Sequence, residues 1–449
     1  MFIFWENDVL TTSWRLSFLA AGALLALSPS ANADNWPQWR GPAGNSTSAE
    51  QHLPLHWGEK TNIAWKCPLP GQAASTPAIW GNAIFVTSQQ GEALLLLKID
   101  KATGHIEWMR QVGSGSPGRL PLRAKKSDER REQKFHQLHN MASPSPVTDG
   151  ALVIAHFGNG DLAAYDFAGR QLWLHNLQKE YGAYTIWWGH ANSPVLVDDL
   201  VISVCMQDSL ADLGGEPSAS YLVAHDKRTG QEKWKTLRKT QAVAEQCDAY
   251  TTPILHATAA GTEVILMGGN QIDAYDARTG KQLWFLPGLT GGRTITGPTL
   301  GEDLVYATQG MRGPLLAVRL GASGQLAASS VAWKQAKGTP DSSCPVVSKS
   351  LVYWATDDGI VYCCDAQTGA LKWKERLPGD YKATPLCADG RLYFLNRSGR
   401  CTVLAAAPRF EKLAENQLDD EMLASPAVSD GVLFFRGHKT LYAIDARAP

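Results

Sequence analysis

The stretch "AYDARTGKQLW" (274–284) recurs along this chain, and the recurrence constrains the fold more than any other feature. "AHDKRTGQEKW" (224–234) is a full copy, and "CCDAQTGALKW" (363–373) differs only in its first residue. "KIDKATGHIEW" (98–108) lacks the initial small residue, and "AYDFAGRQLW" (164–173) is one residue shorter. "VRLGASGQLAASSVAW" (318–333) is stretched and lacks the Asp, and "AIDAR" (443–447) starts a further copy. The pattern small-x-Asp-x-x-Thr-Gly-x-x-x-Trp reads as a strand, a tight turn and a second strand. Asp accepts backbone N–H bonds across the turn, and Gly takes a positive φ there. The Trp on the following strand offers a large ring for burial against a neighbouring unit.

A second signal runs out of phase with the first. A Ser/Thr-Pro-like step opens an apolar strand at Pro77, Pro144 or Pro146, Pro194, Pro253, Pro298, Pro345, Pro385 and Pro426. Proline suits the first residue of a strand, where its missing N–H costs little. Each unit then holds four strands, from the Pro strand outward to the Trp strand. Units of about 40 residues with four strands predict an all-β, eight-bladed β-propeller with antiparallel blades. The eighth unit lacks its Trp strand, whereas "NIAWKCPLPG" (62–71) precedes the first Pro strand as an orphan. Trp65 stands twelve residues before Pro77, the spacing of Trp333 to Pro345 and of Trp373 to Pro385. The N-terminal strand is therefore expected to close the ring. Trp65, Trp108, Trp173, Trp234, Trp284, Trp333 and Trp373 occupy the docking slot, and the blade around 385–418 has none.

Composition agrees with this architecture. Charged residues make up only 19% and Gly numbers 41, a profile of strands and turns. The net charge of −1 carries no domain-wide basic balance for nucleic acid. Leu16 to Leu27 is an apolar run of twelve ending in Ala31-Asn32-Ala33, which reads as a cleavable export signal (1–33) rather than a membrane span. The acidic residues Glu6 and Asp8 before Arg15 are unusual there, and a start at Val9 or Leu10 would remove them. The remaining layout is an extension (34–60) and the propeller (61–449), expected in the periplasm or outside the cell as a monomer.

The small-x-Asp-x-x-Thr-Gly-x-x-x-Trp motif resembles the tryptophan-docking motif of the PQQ-like repeat propellers. That group includes the quinoprotein alcohol dehydrogenases and the non-enzymatic outer-membrane assembly factor BamB. "NWPQWRGPAGNSTS" (35–48) resembles the opening of secreted PQQ-like repeat proteins. The resemblance covers roughly 60–449 and implies two functions. One is a binding or scaffold propeller for a protein partner or an extracytoplasmic polymer. The alternative is a dehydrogenase of alcohols or sugars that uses PQQ with calcium. Dehydrogenase chemistry needs a cation held by carboxylate and amide oxygens beside a carboxylate base, and no matching motif is legible. Cys363-Cys364 mimics a vicinal cysteine pair, yet both lie in a predicted strand and point to opposite faces. No Cys-x-x-Cys-His and no metal-ligand spacing occurs. The eight cysteines would permit disulfides in an oxidising compartment, without a deducible pairing.

Segments leading into the Pro strands are expected to gather near the axis. They supply Gln72, His139, Asn140, His190, Asn192, Asp248, Tyr250, Arg293, Asp341, Lys382 and Glu421, a polar ring that either binds a ligand or is a solvated mouth. Within "YTIWWGHAN" (184–192), Trp187 and Trp188 offer stacking surfaces beside His190. The candidate ligand residues are thus His139, Asn140, Trp188, His190, Asp248, Arg293, Asp341 and Lys382. No catalytic residue is assigned. The insertions 118–139, rich in Lys and Arg, and 207–220 are further candidate surfaces.

Overall fold

The computed structural model describes Met1 and residues 35–113, 135–207, 219–310 and 313–448. The expected export segment, and most of the insertions 118–139 and 207–220, lie outside the described residues.

The described strands form eight separate sheets arranged as blades, antiparallel throughout except for one short added strand at Gly324–Gln325. Blade 1 runs Ala78–Trp80, Ala83–Gln90, Ala93–Asp100 and Ile106–Gln111. Blades 2 to 7 repeat this order, and their first strands start at Val147, Val195, Ile254, Thr299, Val346 and Leu386. First strands of successive blades adjoin one another, so they are innermost. The second strands are almost wholly buried, whereas the fourth strands are largely exposed or half-buried, as expected of an outer edge. Blade 8 takes three strands from the C-terminal region (Ala427–Ser429, Val432–Arg436, Thr440–Asp445) and its fourth from Ile63–Pro68. Trp65 lies opposite Ala443 in that pair, so the N-terminal strand closes the ring. Closure removes the two open sheet edges that a linear chain of blades would expose.

The docking motif has a three-part physical basis. Its first residue faces the Trp across the strand pair: Ala164 opposite Trp173, Ala224 opposite Trp234, Ala274 opposite Trp284 and Cys363 opposite Trp373. A small side chain leaves room for the indole, and a β-bulge follows at that point in these blades. The Asp organises the turn, with Asp276 accepting from the Thr279 amide at 2.7 Å and its hydroxyl at 2.6 Å. The Gly is the floor on which the preceding blade's Trp lies. A Cβ on Gly104 would sit 2.5 Å from Trp65, on Gly280 2.4 Å from Trp234, and on Gly369 2.7 Å from Trp333. Each indole N–H also reaches a carbonyl of the next blade: Trp65 to Lys101 (3.0 Å), Trp108 to Phe167 (3.0 Å), Trp173 to Lys227 (3.0 Å) and Trp373 to Ala407 (3.0 Å). Trp284 departs from this, because the stretched copy after it lays Gly324–Gln325 as a fifth strand along its own blade. Its ring packs with Leu326 and is fully buried there.

Blade 7 carries Ala414 where the docking Trp would stand, opposite Val403. The extension fills the vacancy. Trp57 is 5% exposed and stacks between Tyr393 of blade 7 at 6.3 Å and Phe435 of blade 8 at 5.5 Å. Tyr393 holds the place in its blade that Tyr353 holds beneath Trp373, with ring centroids at 6.0 Å.

The Ser/Thr-Pro step also acquires a cause. The residue before each proline links blades in a belt around the axis. The Thr76 amide donates to Ser145 Oγ (2.9 Å), Ser145 to Ser193 (2.9 Å), and Ser193 to Thr252 (3.0 Å). Beyond the fifth blade, the Gly297 amide meets Cys344 Sγ (3.1 Å), Cys344 donates to Thr384 (3.0 Å), and Thr384 to Ser425 (3.1 Å). The belt settles blade 2 on Ser145-Pro146. Its proline cannot donate, so the preceding residue carries both donor and acceptor.

Candidate functional site

The axis is closed at one end by the extension. Trp36 forms a two-bond antiparallel bridge with Ile79 on the innermost strand of blade 1, at 3.0 and 2.7 Å. Pro37 accepts from Thr148 of blade 2. Arg40, 1% exposed, donates to the Pro298 carbonyl (2.7 Å), Thr299 Oγ1 (2.6 Å) and the Pro345 carbonyl (3.2 Å). Ser46 and Ser48 bond the two backbone faces of Cys387 in blade 7. Residues 36–48 thus form a plug tied to the inner strands of five blades around the ring. Gly297 supplies no hydroxyl to the belt, and there the plug's Trp39 packs instead, 3.1 Å from where a Cβ would be.

Above Trp39 lies a cavity of about 380 Å³, a size typical of small-ligand or peptide pockets. Its inner wall takes one residue from each blade, always two before the belt residue: Ala74, Ser143, Ala191, Tyr250, Ile295, Ser342, Lys382 and Leu423. His136, His139, Trp188, Arg293, Asp341 and Asp357 also line the cavity. The charges are paired side by side: Arg293 to Asp341 at 3.4 Å, and Lys382 to Asp357 at 2.6 Å. Asp357 also accepts from the Ser342 amide (2.9 Å) and hydroxyl (2.7 Å). Partial burial, with Arg293 and Lys382 adding to it, holds His136 below the usual imidazole range. Burial pushes His139 down to about 4, so it is neutral at neutral pH.

The structure brings five of the sequence candidates together on this wall: His139, Trp188, Arg293, Asp341 and Lys382. Three others lie away from it. Asn140 caps a turn, accepting from the Ala142 amide (3.0 Å) and donating to the Gln72 carbonyl (2.8 Å). Asp248 is fully buried and accepts from the Trp187 amide at 2.9 Å, which fixes the loop that presents Trp188. His190 is fully buried, stacked on Tyr184 at 4.9 Å, with Nε2 3.3 Å from His156 Nδ1. Trp188 is clamped further, its amide meeting the Tyr250 hydroxyl at 3.2 Å and its carbonyl meeting His139 Nε2 at 2.5 Å. Gln72 and Glu421 line a separate surface depression with Arg397 and His438. Sequence reasoning missed Trp39, His136 and Asp357. Counting three residues back from each Pro would have found the inner ring.

A calcium-held quinone would need carboxylate and amide oxygens converging on one cation. Asp341 and Asp357 are each committed to a cation, and among the described residues no trio of His, Cys, Asp or Glu donors converges in the cavity. Cys363 packs with Trp373 and Tyr353, whereas Cys364 packs on the other face with Tyr306 and Trp354. Cys67, Cys205, Cys344, Cys363, Cys364, Cys387 and Cys401 are free thiols. These residues do not make the donor set that the quinone and its cation require.

The sequence matches the family described as outer membrane protein assembly factor BamB over residues 56–213, 218–318 and 322–409. The chain belongs to that family. Among solved structures, BamB from Moraxella catarrhalis is similar at 14% identity and TM-score 0.58, covering 85% of this chain and 99% of that one. Quinohemoprotein alcohol dehydrogenase from Comamonas testosteroni is similar at 14% identity and TM-score 0.64, covering 93% and 81%. A europium-containing methanol dehydrogenase is similar at 12% identity and TM-score 0.61, covering 92% and 89%. At these identities the likeness is one of fold. None of the curated proteins matches this sequence.

Proposed function

We propose that this chain is an exported binding propeller that receives a short segment of a partner protein in its axial funnel. The observation that carries the reading is the plugged channel. Trp39 of the plug lines the funnel, with Trp188 and Tyr250 as further aromatic walls. Arg293–Asp341 and Lys382–Asp357 lie beside one another on the wall, so a zwitterionic peptide would exchange partners with both pairs at little net electrostatic cost. The apolar run before Ala33 supports export, and the described family acts in outer-membrane assembly. No helix among the described residues is long and apolar enough to cross a membrane.

The test is selection of displayed peptides on the purified protein, followed by titration of intrinsic Trp fluorescence. Arg293→Ala and Lys382→Ala should each weaken a selected peptide by about 1–3 kcal/mol, as expected for charge-assisted hydrogen bonds. The four side chains are 20–24% exposed, so each substitution should cost about 1–3 kcal/mol of stability and leave the ring folded, which the melting temperature checks. Equal affinity in the Arg293→Ala/Lys382→Ala/Trp188→Ala variant would exclude the funnel. Quinone absorbance and dye-linked alcohol oxidation after adding PQQ and calcium would overturn the binding reading in favour of a dehydrogenase.

A further inference from the structure

Outside the funnel, a second group of side chains converges between blades 2 and 3. His175 ends the outer strand Gln171–Asn176, Glu180 stands on the short helix Leu177–Tyr181 that follows, and His225 lies on Ser220–Asp226 of the next blade. Donor atoms of the three lie within 4.8 Å of one another. His175 Nδ1 is 2.8 Å from Glu180 Oε1, and the two imidazole rings stack at 4.9 Å.

The surroundings orient these donors. His175 rests on Gly230, where a Cβ would come within 2.8 Å of its Nε2, and beside the docking Trp173 at 5.5 Å. That packing turns Nδ1 toward Glu180. His225 is 1% exposed, and its Nε2 lies 3.3 Å from the Tyr181 hydroxyl. Tyr181 gives its own proton to Glu232 at 2.7 Å. The hydroxyl can therefore only accept from His225, so Nε2 carries the proton and Nδ1 keeps the lone pair. Nδ1 is buried without a hydrogen-bond partner. A buried lone pair left bare is costly unless something fills it. The Glu232–Tyr181–His225 chain has the form of an outer-shell relay that holds a ligating imidazole in one tautomer.

We propose that His175, Glu180 and His225 bind a divalent first-row transition ion of the zinc class. Two imidazoles and one carboxylate are a zinc-type donor set, leaving a fourth position for water. Side chains of His175 and Glu180 are 26% and 36% exposed, so an ion has a path in from solvent. Because the ligands come from two blades, the ion would staple blade 2 to blade 3 at the rim, remote from the funnel. Its binding free energy would add to the stability of that interface.

The experiment uses the purified full chain stripped with chelator and titrated with zinc against a chromophoric competitor. Thermal unfolding is followed with and without the ion. One equivalent should bind and raise the melting temperature. His175→Gln and Glu180→Gln, both at half-exposed positions that the fold tolerates, should each lower affinity about tenfold or more and abolish the thermal shift. Tyr181→Phe should weaken binding by about tenfold, through the outer shell, without removing a ligand. Cobalt should give a visible ligand-field spectrum that Glu180→Gln changes. No stoichiometric zinc binding, or binding of equal strength in both Gln variants, would overturn the assignment. The latter result would place the ion on other surface histidines.

Discussion

Replacing Trp57 by alanine tests the claim that the extension completes the blade 7–blade 8 interface. The ring is 5% exposed, so it removes roughly 200 Å² from water, about 5 kcal/mol at 25 cal/mol per Å². That figure is an upper bound, since unfolded chains already bury part of such surface. Its two stacking contacts, at 6.3 and 5.5 Å, act in the same direction. No hydrogen bond is lost, because Trp57 Nε1 has no partner. Trp57→Ala should therefore destabilise by about 3–5 kcal/mol, the range for a buried large aromatic. Urea denaturation should show a lowered midpoint with an unchanged slope. A companion substitution separates this from generic core damage. Ala414→Trp in the native background should cost about 1–3 kcal/mol, because Trp57 already fills the space. In the Trp57→Ala background the same change should recover stability, a coupling that a double-mutant cycle measures. A loss below about 1 kcal/mol for Trp57→Ala, or an Ala414→Trp effect equal in both backgrounds, would refute the shared slot.

Three further outcomes are expected. Arg40→Leu should leave the Pro298 carbonyl without its donor, while the Pro345 carbonyl keeps the Thr299 hydroxyl, and cost about 1–3 kcal/mol; limited proteolysis should then cut within 41–48. Gly280→Ala should cost about 2–5 kcal/mol, because it adds a clash with Trp234 at 2.4 Å to an unfavourable φ of +70°. Gly390→Ala, at φ +68° with open space around it, should cost only the backbone part, and equal losses at the two sites would refute the docking role of the glycine. Burial holds both His156 and His190 below the ordinary imidazole range, so the folded protein refuses protons that the unfolded chain accepts below about pH 6.5. Stability from this pair is full above that pH and declines as pH falls below it, by up to about 1.4 kcal/mol per pH unit for each histidine. Melting temperatures between pH 7 and 5 should fall less steeply in His190→Gln than in the native protein, and an identical slope would show that His190 takes no part.

The repeat determined the blades because its information is local. Each docking motif spans eleven residues, and the Pro step marks one strand start per unit, so strand order and the closing role of 62–71 were legible by spacing alone. The same locality placed Cys363 and Cys364 on opposite faces. Why the motif uses a small residue and a Gly was not legible, since both answer to a Trp ring from across the pair or from another blade. The funnel candidates separated for a similar reason. Arg293 and Lys382 reach the cavity, while Asp248 and His190, equally polar and just as near their prolines, turn inward to partners that only the folded loops supply. The metal group was invisible because its two histidines stand fifty residues apart in different blades. The extension has no period at all. Arg40 meets chain 258 and 305 residues away, and Trp57 meets Asn416 at a separation of 359. Periodicity specifies which strands are neighbours; which side chains face the axis, and what seals it, is decided by contacts between segments that share no pattern and meet only when the ring has closed.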